Sequence, residues 1–438
     1  MQELVLESNI AVGLDIGTTK VCIGVAEKDK SGKLNVLGKG CSHSVGLRRA
    51  TVVNINKTVD ALRAAVADVE RDSSLVVHGV NVALSGAHVH CIQSQSEVTI
   101  NQSGVVNDSD VLRLLEKARA NIQNLDINHE IIHVIPQEFI VDDQDGLLDP
   151  IGMAGTALRG SVYIVVGLRA KIRNIRQCVE RAGLKIGGLT FQPLALGIAV
   201  IKEREKRGGV AVLDIGGGTT EVAVYLGGAI HFSEVINVAA HDITLDIAHG
   251  LQVLEQVAEE IKIRHGCADS RISCDDEDIV IDGEGEGDLP KIFPKSSLTL
   301  IIEARMMDIL ELVRDALEQS GYYPALNAGV IITGGGSILA GVVELARLVL
   351  GLDVRLGYPE GVSGRMKGLV HNPVDATVMG LVGHVYRTDF SGDHSFVSTA
   401  ELSRALPAVE SKELLVVQEQ NPAWKKVVDG LHEWWAKL

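Results

Sequence analysis

The sequence predicts an α/β fold of two domains built on one plan, each interrupted by a further block. Three observations predict it. An aliphatic strand runs straight into glycine in three places: Ala-Val-Gly-Leu-Asp-Ile-Gly-Thr-Thr-Lys at 11–20, Val-Ala-Val-Leu-Asp-Ile-Gly-Gly-Gly-Thr-Thr at 210–220, and Val-Ile-Ile-Thr-Gly-Gly-Gly-Ser at 330–337. The first two are near-copies, and each continues into another strand, at 21–26 and 221–226; a repeat of such long period suggests a duplicated architecture. Aromatics make up only 3% of a chain that is 46% hydrophobic, so small and branched aliphatics must fill the core, as they do around buried parallel sheets.

The chain has 438 residues, enough for two or more domains with cores of their own. Its net charge of −16 argues against nucleic acid as a partner, because phosphate backbones need basic counter-charge. The same charge repels anionic lipid, so a membrane contact must come from a local segment. Cys22, Cys41, Cys91, Cys178, Cys267 and Cys274 form no Cys-x-x-Cys pair and join no His cluster. They read as single small buried thiols in a reducing cytoplasm. Residues 1–9 carry two Glu and no basic residue, unlike a signal peptide, and no run of 18 apolar residues occurs.

Between the repeats the pattern predicts a helix over 56–69, a strand over 80–84 and a distinct block at 85–161. That block alternates at 97–100 and holds a helix over 109–122; the aliphatic strand at 162–166 reads as the return to the first domain. A second block, 227–302, contains a helix near 252–265 and an acidic loop at 275–288 with eight carboxylates. Residues 391–420 read as a polar linker.

The strand–Asp–x–Gly turn reads as a phosphate loop in a β-hairpin. Glycines let backbone N–H groups turn inward together, and Thr18, Thr19, Thr219 and Thr220 add hydroxyl donors. Asp15 and Asp214, at the strand ends, suit Mg²⁺ held through water. Two such hairpins would clamp a polyphosphate from both sides. The hairpins are not P-loops or Rossmann loops, because each leads into a strand and not a helix. His129, His133 and His265 are scattered, and core or surface histidines explain them better than metal or catalysis.

These residues resemble the actin, Hsp70 and sugar-kinase superfamily, which implies an actin/Hsp70-like two-domain ATPase fold. Phe191-Gln-Pro-Leu-Ala-Leu-Gly-Ile-Ala199 is similar to that superfamily's connecting helix, with Gln192 where a water-orienting residue sits. His133-Val-Ile-Pro-Gln-Glu-Phe-Ile-Val-Asp142, Ile261-Lys-Ile-Arg-His-Gly-Cys-Ala268 and an amphipathic C-terminal segment narrow the resemblance to the FtsA family, actin-like bacterial division proteins that tether FtsZ filaments to the membrane. The match runs nearly the whole chain.

The resemblance implies residues 1–84 and 162–191 as subdomain 1A, and 85–161 as an inserted subdomain 1C that engages later division proteins. It implies 192–226 and 303–390 as 2A, and 227–302 as an upper subdomain 2B that contacts adenosine and the C-terminal peptide of FtsZ. ATP and Mg²⁺ are the implied cofactors. Gly17, Thr18, Thr19, Lys20, Gly216, Gly217, Gly218, Thr219, Gly334, Gly335, Gly336 and Ser337 would surround the nucleotide. Glu259 and Lys262, about one helical turn apart, would hold ribose and adenine, although periodicity alone gives only a solvated ion pair. Gln192, Asp15 and Asp214 would serve a slow ATPase at most; a nucleotide switch needs no fast turnover. The implied setting is a self-assembled filament on the cytoplasmic face of the membrane at the division site. One departure is Asp282-Gly-Glu-Gly-Glu-Gly-Asp-Leu-Pro290, where such chains carry a Gly/Pro/Arg-rich turn; basic residues come only at Lys291 and Lys295.

The segment 421–438 holds all three tryptophans. Trp424, Val427, Val428, Leu431, Trp434, Trp435 and Leu438 fall on one stripe of a helix that Asn421 can cap. It is too short and too charged to span, so it predicts a helix lying in the membrane plane. Two alternatives share the fold: a PilM-like pilus assembly protein, which relies on a partner for membrane attachment, and a sugar or acid kinase, which needs an Asp base and no lipid-seeking tail.

Overall fold

A computed structural model describes residues 10–29, 32–122, 125–272, 277–281, 290–364, 366–390 and 397–398. The chain forms two bodies, one from Met1–His90 and Ala170–Gly383, the other from Cys91–Arg169 and His384–Leu438. The predicted tail and most of the predicted linker lie outside the described residues; Val397–Ser398 is a short strand beside His129–Val141.

The first body contains two sheets. In the first, the order is Lys185–Phe191, Gly79–Leu84, Ile10–Ile16, Lys20–Lys28, Leu34–His43 and Val362–Ser363. The helix Ile55–Ser73 starts where the Asn54 side chain accepts from the Lys57 N–H and ends at Ser74 in the left-handed region. Its buried residues Val59, Leu62, Ala65 and Val69 recur at helical spacing.

The second sheet runs Ala229–Ile236, Thr220–Leu226, Val210–Ile215, Val330–Thr333, Val354–Leu356. Val210–Ile215 is buried at all six positions, as expected of a central strand covered on both faces. Val330–Thr333 lies parallel beside it, which brings the third Gly-rich segment next to the second hairpin. The expected upper block 227–302 has no core of its own. Ala229–Ile236 is a strand of this sheet, and the helix Lys295–Gln319 runs through residue 302 with its apolar face in the same core as Leu213 and Val330. Part of the expected acidic loop is ordered, because Asp278–Ile281 pairs with Lys291–Pro294. The helix expected near 252–265 starts at Glu255; Gln252 adopts a left-handed conformation that ends the preceding helix Ala240–Leu251.

In the second body, the sheet orders Val397–Ser398, His129–Val141, Ala157–Leu168 and Val89–Thr99. The helix Asp108–Ala120, held by an Asn107/Asp110 capping box, covers it with Val111, Leu114 and Leu115. This corrects the predicted return at 162–166. Those residues belong to Ala157–Leu168, which pairs along its length with His129–Val141, so the insertion ends at Arg169. A short apolar run does not say which sheet it joins. His133 is buried here, and burial pushes its pKa down to about 3, with His384 adding to the shift. It is a neutral core histidine.

The single-thiol reading also needs correction. Cys22 and Cys41 form a disulfide, because the register of Lys20–Lys28 against Leu34–His43 sets them directly opposite each other. Linear spacing hides such a cross-strand pair. Cys91, Cys178 and Cys267 take part in no disulfide among the described residues, and Cys274 lies outside them. Among the described residues no helix is long and apolar enough to cross a membrane.

Candidate functional site

The two hairpins close identically: the Gly17 N–H donates to the Lys20 carbonyl at 2.9 Å, and the Gly216 N–H to the Thr219 carbonyl at 3.0 Å. Asp15 faces Cys22 across the first hairpin, and Asp214 faces Glu221 across the second. Position by position, Thr18 and Thr19 therefore match Gly217 and Gly218. The two tips meet within the first body. A Cβ on Gly217 would lie 2.4 Å from the Thr19 methyl, and one on Gly218 would lie 2.6 Å from the Thr18 hydroxyl. Glycine in one tip thus makes room for threonine in the other.

Between the sheets lies an open cleft. Of the sequence-predicted residues, Asp15, Gly17, Thr18, Thr19, Lys20, Gln192, Asp214, Gly216, Gly217, Gly218, Thr219, Gly334 and Gly335 line it. Gly336, Ser337, Glu259 and Lys262 do not. Gly336 is packed against Ile215, and the Ser337 hydroxyl donates to the Gly334 carbonyl at 2.7 Å. Lys262 donates to Glu259 at 2.7 Å, to the Thr244 hydroxyl at 2.7 Å and to the Ala240 carbonyl at 3.0 Å. Ala240 and His241 in turn donate their N–H groups to the carbonyls of Gly216 and Gly217. The Glu259–Lys262 pair therefore braces the back of the second hairpin. Sequence reasoning missed Glu221, Ser85, Ala50, Pro373, Val374 and Thr377, which complete the lining. Only Glu221 carried a signal: it is the one charge in an otherwise apolar strand, Thr220–Leu226.

The cleft is acidic, with Asp15, Asp214 and Glu221 among its lining. The connecting helix Gln192–Val200 begins with Pro193 in its first turn and places Gln192 at the floor, where its Nε2 donates to Asp214 at 2.5 Å. Burial pushes Asp15 up to about 6, against the pull of Lys20 and with repulsion from Asp375, which is itself paired with Lys39. Burial also pushes Asp214 up to about 6; Asp15 adds to the shift, while the Gln192 hydrogen bond and Lys20 oppose it. Lys20 donates to the Val374 carbonyl at 2.9 Å, and burial lowers its pKa although Asp15 and Asp375 favour its charge.

Glu221 is shifted furthest, to about 8, by burial first and then by Asp214. Ser85 and the Gly86 amide lie close enough to lower it slightly, yet neither carboxylate oxygen has a hydrogen-bond partner of good geometry. Its folded pKa lies above the ordinary 4.5, so the native state keeps a proton that the unfolded chain has already lost. Stability from this group is present at low pH and is lost as pH rises toward 8. The nucleotide-free chain should lose roughly 1 kcal/mol between pH 7 and 8 in urea titrations, and Glu221→Gln should flatten that slope. An unchanged slope in the variant would show that another group titrates there.

Comparisons with known proteins place this geometry. The family model described as cell division protein FtsA matches residues 211–380, and the SHS2 domain inserted in FTSA matches residues 86–166. The chain is 34% identical to the cell division protein FtsA of Pseudomonas aeruginosa, covering 92% of this chain and 95% of that protein. It is 39% identical to the FtsA of Neisseria meningitidis, over 84% of this chain and 88% of that one. Among solved structures, the PilM–PilN type IV pilus biogenesis complex superposes with a TM-score of 0.61 at 17% identity, over 86% of this chain and 98% of that one. MreB5 of Spiroplasma citri bound to ADP superposes with a TM-score of 0.52 at 14% identity, over 87% and 97%. The structural likenesses establish the actin-like two-domain fold that the hairpins imply. With relatives this similar over nearly their full length, the chain belongs to the FtsA family of cell division proteins.

Proposed function

We propose that this chain is an ATP-binding scaffold of cell division. In this reading it polymerises on the cytoplasmic face of the membrane, holds FtsZ filaments there through their C-terminal peptide, and recruits later division proteins. The observation that carries the nucleotide assignment is the meeting of both hairpins in one cleft with Lys20, Asp15 and Asp214. The amides at the hairpin tips and Lys20 supply donors and positive charge for phosphates. Asp15 and Asp214, buried with raised affinity for positive charge, fit the water shell of a Mg²⁺ ion, which would screen the phosphates. Within this reading, 91–169 serves as the partner-engaging insertion, and Glu259 and Lys262 support the second hairpin from behind. The relatives at 34% to 39% identity favour this reading over the PilM-like and kinase alternatives.

Membrane attachment falls to the stripe of Trp424, Val427, Val428, Leu431, Trp434, Trp435 and Leu438. Indoles suit the headgroup boundary, and a helix this short folds only marginally in water without lipid. Vesicle flotation of the full chain, with and without an FtsZ C-terminal peptide, tests the scaffold reading. The double variant Trp434→Glu/Trp435→Glu should leave the vesicle fraction while binding a fluorescent ATP analogue as the unaltered chain does. A variant that still floats with vesicles removes the tail from the reading.

A further inference from the structure

We propose that Cys22 and Cys41 form a reversible thiol–disulfide site, opened by a low-molecular-weight thiol of the glutathione type at the Cys41 sulfur, and that its state sets the affinity of the cleft for nucleotide. The proposal rests on the reading above, which sets the chain on the cytoplasmic face of the membrane and nucleotide in the cleft.

In a reducing compartment disulfides are rare, and those that form are usually transient, serving redox sensing or catalysis. The Cys22–Cys41 bond is not needed to hold its strands together. Lys20–Lys28 and Leu34–His43 pair along their whole length, and Val21, Ile23 and Val25 are buried in the core. The two sulfurs differ in access: Cys22 is fully buried, whereas Cys41 is exposed. An attacking thiolate needs a path to the sulfur it attacks, so attack falls on Cys41 and Cys22 departs. Exposed disulfides are the labile and regulatory ones.

The position of the bond ties it to the cleft. Side chains two apart on a strand share a face, so Lys20 flanks Cys22 on one strand and Lys39 flanks Cys41 on the other. The two lysines grip consecutive residues of one segment. Lys20 Nζ donates to the Val374 carbonyl at 2.9 Å, and Lys39 Nζ donates to Asp375 at 2.8 Å. Val374 lines the cleft, as do Pro373 and Thr377. Two thiols take more room than a disulfide, because bonded sulfurs sit well inside their van der Waals contact. With Cys22 fully buried, that room comes from the strands parting, and the two lysines part with them. The oxidised chain therefore keeps the cleft wall in place, and the reduced chain slackens it.

In the reaction a glutathione thiolate bonds to the Cys41 sulfur as the bond to the Cys22 sulfur breaks. Cys22 leaves as a thiolate and takes a proton from water, and Cys41 carries a mixed disulfide. A second glutathione thiolate attacks the glutathione sulfur of that adduct and releases Cys41 as a thiol. Two glutathiones are oxidised to one disulfide, and the protein disulfide gains their two electrons. Oxidised glutathione drives the same steps in reverse.

The test holds the folded full chain in glutathione buffers of stepped reduced-to-oxidised ratio. Thiols are trapped with a maleimide and mapped by peptide mass, and a fluorescent ATP analogue is titrated at each ratio. The bond should open across the series, with the mixed disulfide on Cys41 and not on Cys22. The reduced chain should bind the analogue about fivefold more weakly than the oxidised one. Reciprocally, saturating analogue should raise the squared reduced-over-oxidised glutathione ratio at half-opening by the same factor. Cys41→Ala should lose all response to the ratio; if that variant does not fold, Cys41→Ser serves. A bond that stays closed throughout and opens only once urea unfolds the chain overturns the proposal. So do two thiols at every ratio, or a mixed disulfide on Cys22. Equal affinity in the two states overturns the coupling. All of these leave the nucleotide reading standing; a chain that binds no analogue in either state fails at that reading and takes the coupling with it.

Discussion

Gly335→Val is expected to abolish nucleotide binding while leaving the thermal melting of the chain unchanged. Gly335 lines the cleft, and a Cβ built there meets no atom within 4 Å, so the fold has room for a side chain. The space it would fill is the space a ligand would use. Its neighbours make poorer probes. Gly334 has a φ of +83°, and a Cβ there would lie 2.0 Å from an oxygen of Asp214, so substitution strains fold and site together. A Cβ on Gly216 would press on the Thr219 carbonyl at 2.9 Å and would report on its own hairpin. For Gly335→Val, affinity for a fluorescent ATP analogue should fall by about a hundredfold or more, equivalent to about 2.7 kcal/mol. Undiminished affinity would place the nucleotide elsewhere.

Gly40→Leu should have the largest effect on stability. Gly40 lies on Leu34–His43 beneath the helix Ile55–Ser73, and a Cβ there would sit 2.3 Å from the Ala65 carbonyl and 2.5 Å from the Val69 nitrogen. Those atoms belong to helix backbone and cannot rotate away. The helix must lift, and Val59, Leu62, Ala65 and Val69 lose their packing together. The expected loss is about 3 kcal/mol or more, at the upper end for overpacking, read as a lowered urea midpoint. Gly40→Ala should fall between. An unchanged midpoint in Gly40→Leu would mean that helix and strand are not in contact.

How far the sequence could be read depended on the range of the interaction. Local chemistry was legible: Leu-Asp-Ile-Gly marked both hairpins, the apolar spacing marked the helix over 56–69, and the strand at 330–333 led into its glycine turn. Non-local pairing was not. Residues 162–166 are as aliphatic as a strand of the first sheet and yet join the insertion, because hydrophobicity carries no address. Cys22 and Cys41 are 19 residues apart and meet only through register. Gly217 and Gly218 looked like ligand-facing glycines, but their missing side chains also admit Thr19 and Thr18 from the other hairpin. Glu221 lies just past the repeated motif, where the two copies diverge: extended that far, the repeat sets Glu221 against Cys22.

The first turn of Ala240–Leu251 has a mechanical consequence. Two N–H groups that a helix start normally offers to solvent or to an anion are already engaged by the carbonyls of Gly216 and Gly217. Lys262 grips the same turn from Glu255–His265, and Arg305 of Lys295–Gln319 grips Asp246 through paired contacts of 2.6 and 3.2 Å. The three helices and the hairpin tip are thus tied together by hydrogen bonds and an ion pair. A substitution that breaks the Lys262 or the Arg305 contact is therefore expected to loosen the hairpin tip from behind, although neither residue lines the cleft.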